Sequence, residues 1–193
     1  MLLEKIRHHE SSLGVAVGHL KNEKHLKKDE LVRLSTKTRN KILAIQFLNP
    51  ALIAGDLHIL SAAQNAVNAW SEGYAISRGL DVEIAVYASG QRQIGPALES
   101  MGLRDNMISL ALVIIGDDDS AVKDAFEELV HAVGREIHPS FPVSADKKRK
   151  IMEHFGINDT EIKAISDSDN PDEVLEALSR CVASRVSMVS IET

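Results

Sequence analysis

The stretch Met107-Ile-Ser-Leu-Ala-Leu-Val-Ile-Ile-Gly116 is the longest apolar run in the chain. It has about half of the ~18 apolar residues that a membrane-crossing helix needs, so it predicts a buried strand and no transmembrane segment. Asp117-Asp118-Asp119 ends the run, and Asp119 is placed to cap a helix to about Val133, with Gly134 just beyond. Upstream, Ile94 to Ser100 reads as a short helix ended by Gly102. Residues 81 to 88 read two ways: Val82, Ile84, Val86 and Ala88 alternate as in a strand, while Asp81 could equally cap a short helix. Asp56 is placed to cap a helix to about Glu72, whose apolar positions Leu57, Leu60, Ala63, Val67 and Trp70 recur at helical spacing before Gly73 stops it.

Further out, residues 13 to 20 and Leu43 to Leu48 predict strands, the second closed by Asn49-Pro50, with Lys27 to Arg39 helical between them. Pro139 and Pro142 keep residues 137 to 145 irregular. Three helices follow, near 145–155, 159–165 and 171–185, and Val186 to Ile191 is expected to form a last short strand. No linker and no repeat divides the chain. The expectation is one α+β domain over residues 1–193, with a small, mostly antiparallel or mixed sheet flanked by several helices and a helical C-terminal part.

Composition narrows the function. At 193 residues and 44% hydrophobic the chain can build a real core, and with 4% aromatic residues that core must be aliphatic. So few rings make a base-stacking platform hard to build. A single cysteine, Cys181, excludes a disulfide framework and any multi-cysteine metal site, and fits a reducing cytoplasm. The N-terminal MLLEKIRHHE has charge where a signal peptide needs an apolar run. Net charge is −6, yet residues 19 to 41 carry eight Lys and Arg against three Asp and Glu, and Lys147-Lys148-Arg149-Lys150 forms a second basic cluster. Such clusters are either solvated faces or local contacts for a polyanion.

Catalytic signatures are few. No phosphate-cradling glycine loop and no zinc motif is present, and Gly14 and Gly18 are too weakly placed to make one. His8 and His9 lie near an end expected to be flexible. Asp56 and His58 could form a general-base couple, although a cap plus a half-buried imidazole is the plainer reading. Asp117 to Asp119 could hold magnesium at a strand end, or simply cap the next helix. Cys181 reads as a core thiol. The sharpest segment is Ala88-Ser-Gly-Gln-Arg-Gln-Ile94, which could grip a phosphate or a base edge, or be a polar turn capped by Ser89.

From Asn49 to Gly116 the sequence resembles the TPRKB-type small kinase-binding subunit of the KEOPS complex, in its archaeal form. The resemblance rests on Asn49-Pro50, Asp56-Leu-His58-Ile-Leu60 and the small residues Ala62, Ala63, Ala66 and Ala69. It continues through Leu80-Asp-Val-Glu83-Ile84, Ala88 to Ile94, Ala97-Leu98, Gly102-Leu103 and the strand up to Ile115. It is looser from Phe155-Gly-Ile157 to the Val174–Arg185 helix, and the basic first 40 residues are where members would vary.

The resemblance implies that residues 81–88 are helical and that the protein is not an enzyme. It implies a subunit that binds the complex's small atypical kinase directly, meets the synthase-like subunit only indirectly, and needs no cofactor or metal. It also implies recruitment of tRNA by its 3′ CCA end for threonylcarbamoyladenosine formation beside the anticodon. The matching candidates for tRNA are Gln91, Arg92 and Gln93, with Lys147, Lys148, Arg149 and Lys150 as backbone contacts. Leu175, Leu178, Val182 and Val186 are the candidates for the kinase interface. A small magnesium-dependent phosphate enzyme using Asp117 to Asp119 is the alternative, and a homo-oligomeric scaffold is a third.

Overall fold

In the computed structural model, which describes residues 1–37 and 41–190, the apolar run forms strand Ser109–Gly116 at the middle of an antiparallel sheet. In chain order the elements are β1 (Leu2–His8), β2 (Ser11–Lys21), α1 (Lys28–Lys37), β3 (Ile42–Leu48), a 3-10 turn (Pro50–Leu52), α2 (Asp56–Glu72), α3 (Leu80–Ser89), α4 (Ile94–Met101) and β4 (Ser109–Gly116). They continue with α5 (Asp119–Val133), β5 (Arg135–Glu136), α6 (Ala145–Phe155), α7 (Asp159–Ile165) and α8 (Pro171–Met188). The strands lie in the order β1-β2-β4-β3, with β5 extending the sheet beside β2 and every pair antiparallel. The fold is α+β, as the sequence predicts.

Burial on both faces explains why β4 shows no polar alternation. Ala111, Val113 and Ile115 point into the larger core with α2, α3, α6 and α8, while Leu110, Leu112 and Ile114 join α5 and α1 on the other face. A bulge between Ile42 and Ala44 breaks the period of β3 and puts Ile42 on the same face as Ile45 and Phe47.

Residues 81–88 are helical, so the alternation of valines and isoleucines misleads. Helix α3 is covered nearly all round: Leu80, Glu83, Ile84, Ala85, Val86, Tyr87, Ala88 and Ser89 are all buried, and a helix without a wet face shows no 3.6-residue period. Even its glutamate is used internally, since Glu83 accepts from the Ile76 and Ser77 backbone N–H groups at 3.0 and 2.7 Å.

Several sequence expectations need correction. Gly55, not Asp56, occupies the N-cap of α2, and Gly79, not Asp81, that of α3. The cap of α5 is Asp118, which accepts from Ala121 N–H at 2.8 Å. Asp119 instead pairs with Lys5 Nζ at 2.7 Å. Residues 186–188 continue α8 and Val189 is its cap, so no strand forms there; Ile191, like Arg39, lies outside the described residues. The N-terminal residues are no loose end: β1 pairs along its length with β2. The outer edge of β1 is met by Gln64, whose amide accepts from Arg7 N–H at 2.7 Å and donates to Arg7 C=O at 3.0 Å. Among the described residues no helix is long and apolar enough to cross a membrane.

Candidate functional site

The turn from α3 into α4 carries Gln91, Arg92 and Gln93. Gly90 ends α3 in the left-handed region at φ 66°, and a Cβ there would sit 3.0 Å from the Phe155 ring. Ser89 Oγ donates to Val86 C=O at 2.7 Å and accepts from Gln91 N–H at 3.1 Å, so Ser89 is a capping residue turned inward. The amides and guanidinium are thereby left for the outside: Arg92 and Gln93 are exposed and Gln91 is half-buried.

Behind this turn lies a closed knot of hydrogen bonds. His58 is fully buried; its Nδ1 accepts from Ala54 N–H at 3.2 Å and its Nε2 faces Ala88 C=O at 2.7 Å. Those partners fix the tautomer as Nε2–H. Burial lowers the imidazole pKa to about 4, so it stays neutral. Both ring nitrogens are committed to backbone, which rules out a general-base couple with Asp56. Burial also raises the Asp56 carboxyl above its ordinary value. Phe155 meets His58 and His154 edge-on at 5.4 and 4.7 Å, and His154 Nε2 donates to Ser89 C=O at 2.8 Å. The last turn of α6 thus clamps the Arg92 turn from one side.

Arg92 lines a pocket of about 290 Å³ together with Tyr74, Ile76, Tyr87, Val189 and Ser190. Tyr87 is buried and its hydroxyl pKa is pushed up to about 12, chiefly by that burial, so it stays protonated. Tyr74 is 47% exposed. A guanidinium beside an exposed ring can hold an oxyanion and stack a flat heterocycle. Tyr74 escapes a reading of the sequence because it lies 18 positions before Arg92, in a turn without a motif.

The second basic cluster occupies the first half of α6, whose N-cap Ser144 accepts from Lys147 N–H at 3.2 Å. Arg149 and Lys150 are exposed and share one counter-ion, Asp146, at 2.7 Å each. Those two cations hold the Asp146 carboxyl below its usual range. Lys148 is half-buried. Lys147 is drawn inward, where Nζ donates to Pro142 C=O at 3.3 Å and burial lowers its pKa to about 8. Lys147 and His154 lie seven residues apart on α6, about 10 Å along its axis. One helix therefore carries the basic cluster at its start and touches the Arg92 turn at its end.

On α8, Leu178, Val182 and Val186 are fully buried in the core, and Leu175 is half-buried. The inner three therefore hold α8 against the rest of the domain. Arg185 binds the α6–α7 connection, donating to Phe155 C=O at 3.2 Å and Gly156 C=O at 3.3 Å and pairing with Glu161 at 2.5 Å. Cys181 is buried and burial raises its thiol pKa. Of the acidic triplet, Asp118 is a cap and Asp119 an ion-pair partner. Among the described residues no three His, Cys, Asp or Glu side chains gather as a metal site.

Comparison with known proteins adds the family. The family model described as kinase binding protein CGI-121 matches residues 18–190. The chain is also similar to the regulatory protein Cgi121 of Methanocaldococcus jannaschii, 32% identical over 126 residues, which are 65% of this chain and 79% of that protein.

Proposed function

The chain belongs to the CGI-121 family of kinase binding proteins, and on that premise we propose that it is the non-catalytic small subunit of a KEOPS-type assembly. It binds the atypical small kinase of that complex, reaches the synthase-like subunit only through it, and recruits tRNA by its 3′ CCA end in an archaeal cytoplasm. The tRNA it presents receives threonylcarbamoyladenosine beside the anticodon.

The observation that carries the tRNA part is the Arg92 pocket, where an exposed guanidinium stands beside the exposed ring of Tyr74. An unstacked terminal base can lie on such a ring while its phosphate meets the guanidinium. Gln91 and Gln93 flank it with amides that hydrogen-bond base edges. Lys147, Lys148, Arg149 and Lys150 supply charge for the adjoining backbone. The kinase part rests on the family. Leu175 is the α8 candidate with surface to offer, and Leu178, Val182 and Val186 keep that helix in place from behind.

Fluorescence anisotropy with labelled tRNA, intact or lacking CCA, tests the recruitment. Trimming is expected to abolish most binding, and Arg92→Ala to weaken intact tRNA at least about tenfold, the loss of roughly one charge-assisted contact. Equal binding of both tRNAs would remove the end-gripping role. Coexpression with the cognate kinase tests the other half: one gel-filtration peak is expected, and two separate peaks would count against it.

A further inference from the structure

A second pocket, of about 400 Å³, opens where β2 and β4 meet the start of α6, and it shares no lining residue with the Arg92 pocket. Its polar lining includes His19, Lys147, Asn49 and Ser109, with Met107 and Pro142 among its apolar walls. His19 is 7% exposed; its Nδ1 accepts from Phe141 N–H at 3.3 Å and its ring stacks on Phe141 at 5.1 Å. That bond leaves the proton of the neutral ring on Nε2, and Nε2 is buried with no hydrogen-bond partner among the described residues. A buried donor left unmatched is unfavourable, and it calls for a partner.

Two further polar groups of the lining can donate. The Lys147 ammonium has one carbonyl partner, and Asn49 Oδ1 is used by Ala51 N–H at 3.0 Å, which leaves its NH₂ to donate. Among the described residues no carboxylate lines the pocket. A concave, donor-rich and carboxylate-free site selects an oxyanion, and its volume and apolar walls leave room for an organic body. We propose that this pocket binds a phosphate monoester on a small flat body, the phosphate taken by His19 Nε2–H and the Lys147 ammonium and the body lying against Met107 and Pro142. The site shares Lys147 with the proposed backbone contacts but stands apart from the 3′-end reading, because its probe is a small molecule and Arg92 takes no part.

Titration calorimetry with phenyl phosphate on the whole chain tests it, with phenol as the control without the anion. Saturable binding is expected for phenyl phosphate only, weakened at least about tenfold in Lys147→Met at an unchanged melting temperature. Nitrogen-15 spectra of labelled histidine keep the proposal testable without a variant: His19 Nε2 should shift on binding while His58 stays put. No saturable binding, equal binding by Lys147→Met, or shifts that spare His19 would each overturn it. Competition separates the sources of the ester. Displacement by tRNA with a 5′-phosphate, but not by dephosphorylated tRNA, assigns it to an RNA end; no displacement by either assigns it to a free small molecule, and both results uphold the pocket.

Discussion

His58 and His19 are both buried imidazoles whose pKa burial brings down to about 4, yet they sit in opposite kinds of surroundings. Around His58 every polar atom is matched: Ala54 N–H on one nitrogen, Ala88 C=O on the other, Phe155 against the ring. Around His19 one nitrogen is matched and the other is buried without a partner among the described residues, in a residue that lines a cavity with a half-buried lysine. Burial and charge state do not separate the two; completeness of hydrogen bonding does. The satisfied histidine ties backbone segments together, and the unsatisfied one is the donor that the proposed phosphate ester would complete.

The sharpest way to break that contrast is to replace each ring by leucine. His58→Leu strands a buried N–H and a buried C=O together, so about 2–6 kcal/mol of stability should go. His19→Leu strands only Phe141 N–H and removes the orphaned Nε2–H, so the two effects largely offset. Chemical denaturation of both variants should show a wide gap, and similar losses would mean that the two sites are held alike.

Acid sharpens it next. Each imidazole is neutral in the fold down to about pH 4, whereas the unfolded chain takes up that proton near pH 6.5. The stabilisation is complete above pH 6.5 and is lost as pH falls toward 4, by up to about 1.4 kcal/mol per pH unit for each ring. Lys147 opposes protonation of both rings, and His154 adds to that at His58. Denaturation between pH 7 and 4 should show about twice the slope in the parent that it shows in His19→Leu. An unchanged slope in the variant would place the His19 pKa near its ordinary value.

Gly90→Ala probes the wall between the closed knot and the Arg92 turn. The added Cβ needs a left-handed backbone and presses on the Phe155 ring. About 1–2 kcal/mol should be lost, with the effect on tRNA exceeding that on stability because Arg92 is two residues away. A fully stable variant would show that Phe155 can move aside.

Much of this was legible beforehand, for identifiable reasons. Helices α6, α7 and α8 lie where the sequence predicts them, and the side chains of Ser144, Asn158 and Asn170 cap them, local chemistry of a kind that a sequence carries. Helix α3 was not legible by period, because burial on all sides erases the pattern, and only its likeness to a family marked it as helical. Strand β1 was missed because as an edge strand it buries only Ile6. The basic cluster and Arg92 could be named in advance, but Tyr74 and His19 could not. What makes those two useful is who stands beside them, and that is decided by contacts 18 and about 130 positions apart.

The smallest expected effect separates charge from pocket at the two ends of α6. Asp146 is fully exposed and pairs with both Arg149 and Lys150, so Asp146→Asn should leave the melting temperature nearly unchanged. It frees one unit of positive charge on the helix face proposed to meet tRNA backbone. Affinity for tRNA should rise a few-fold at low salt, with about one more counter-ion released in the salt dependence, and trimmed and intact tRNA should gain alike. Arg92→Ala should do the reverse, lowering affinity for intact tRNA while leaving the trimmed form little changed. If Asp146→Asn favoured intact tRNA alone, the start of α6 would belong to end recognition, and the proposed division between a backbone-binding helix and an end-gripping turn would collapse into a single site.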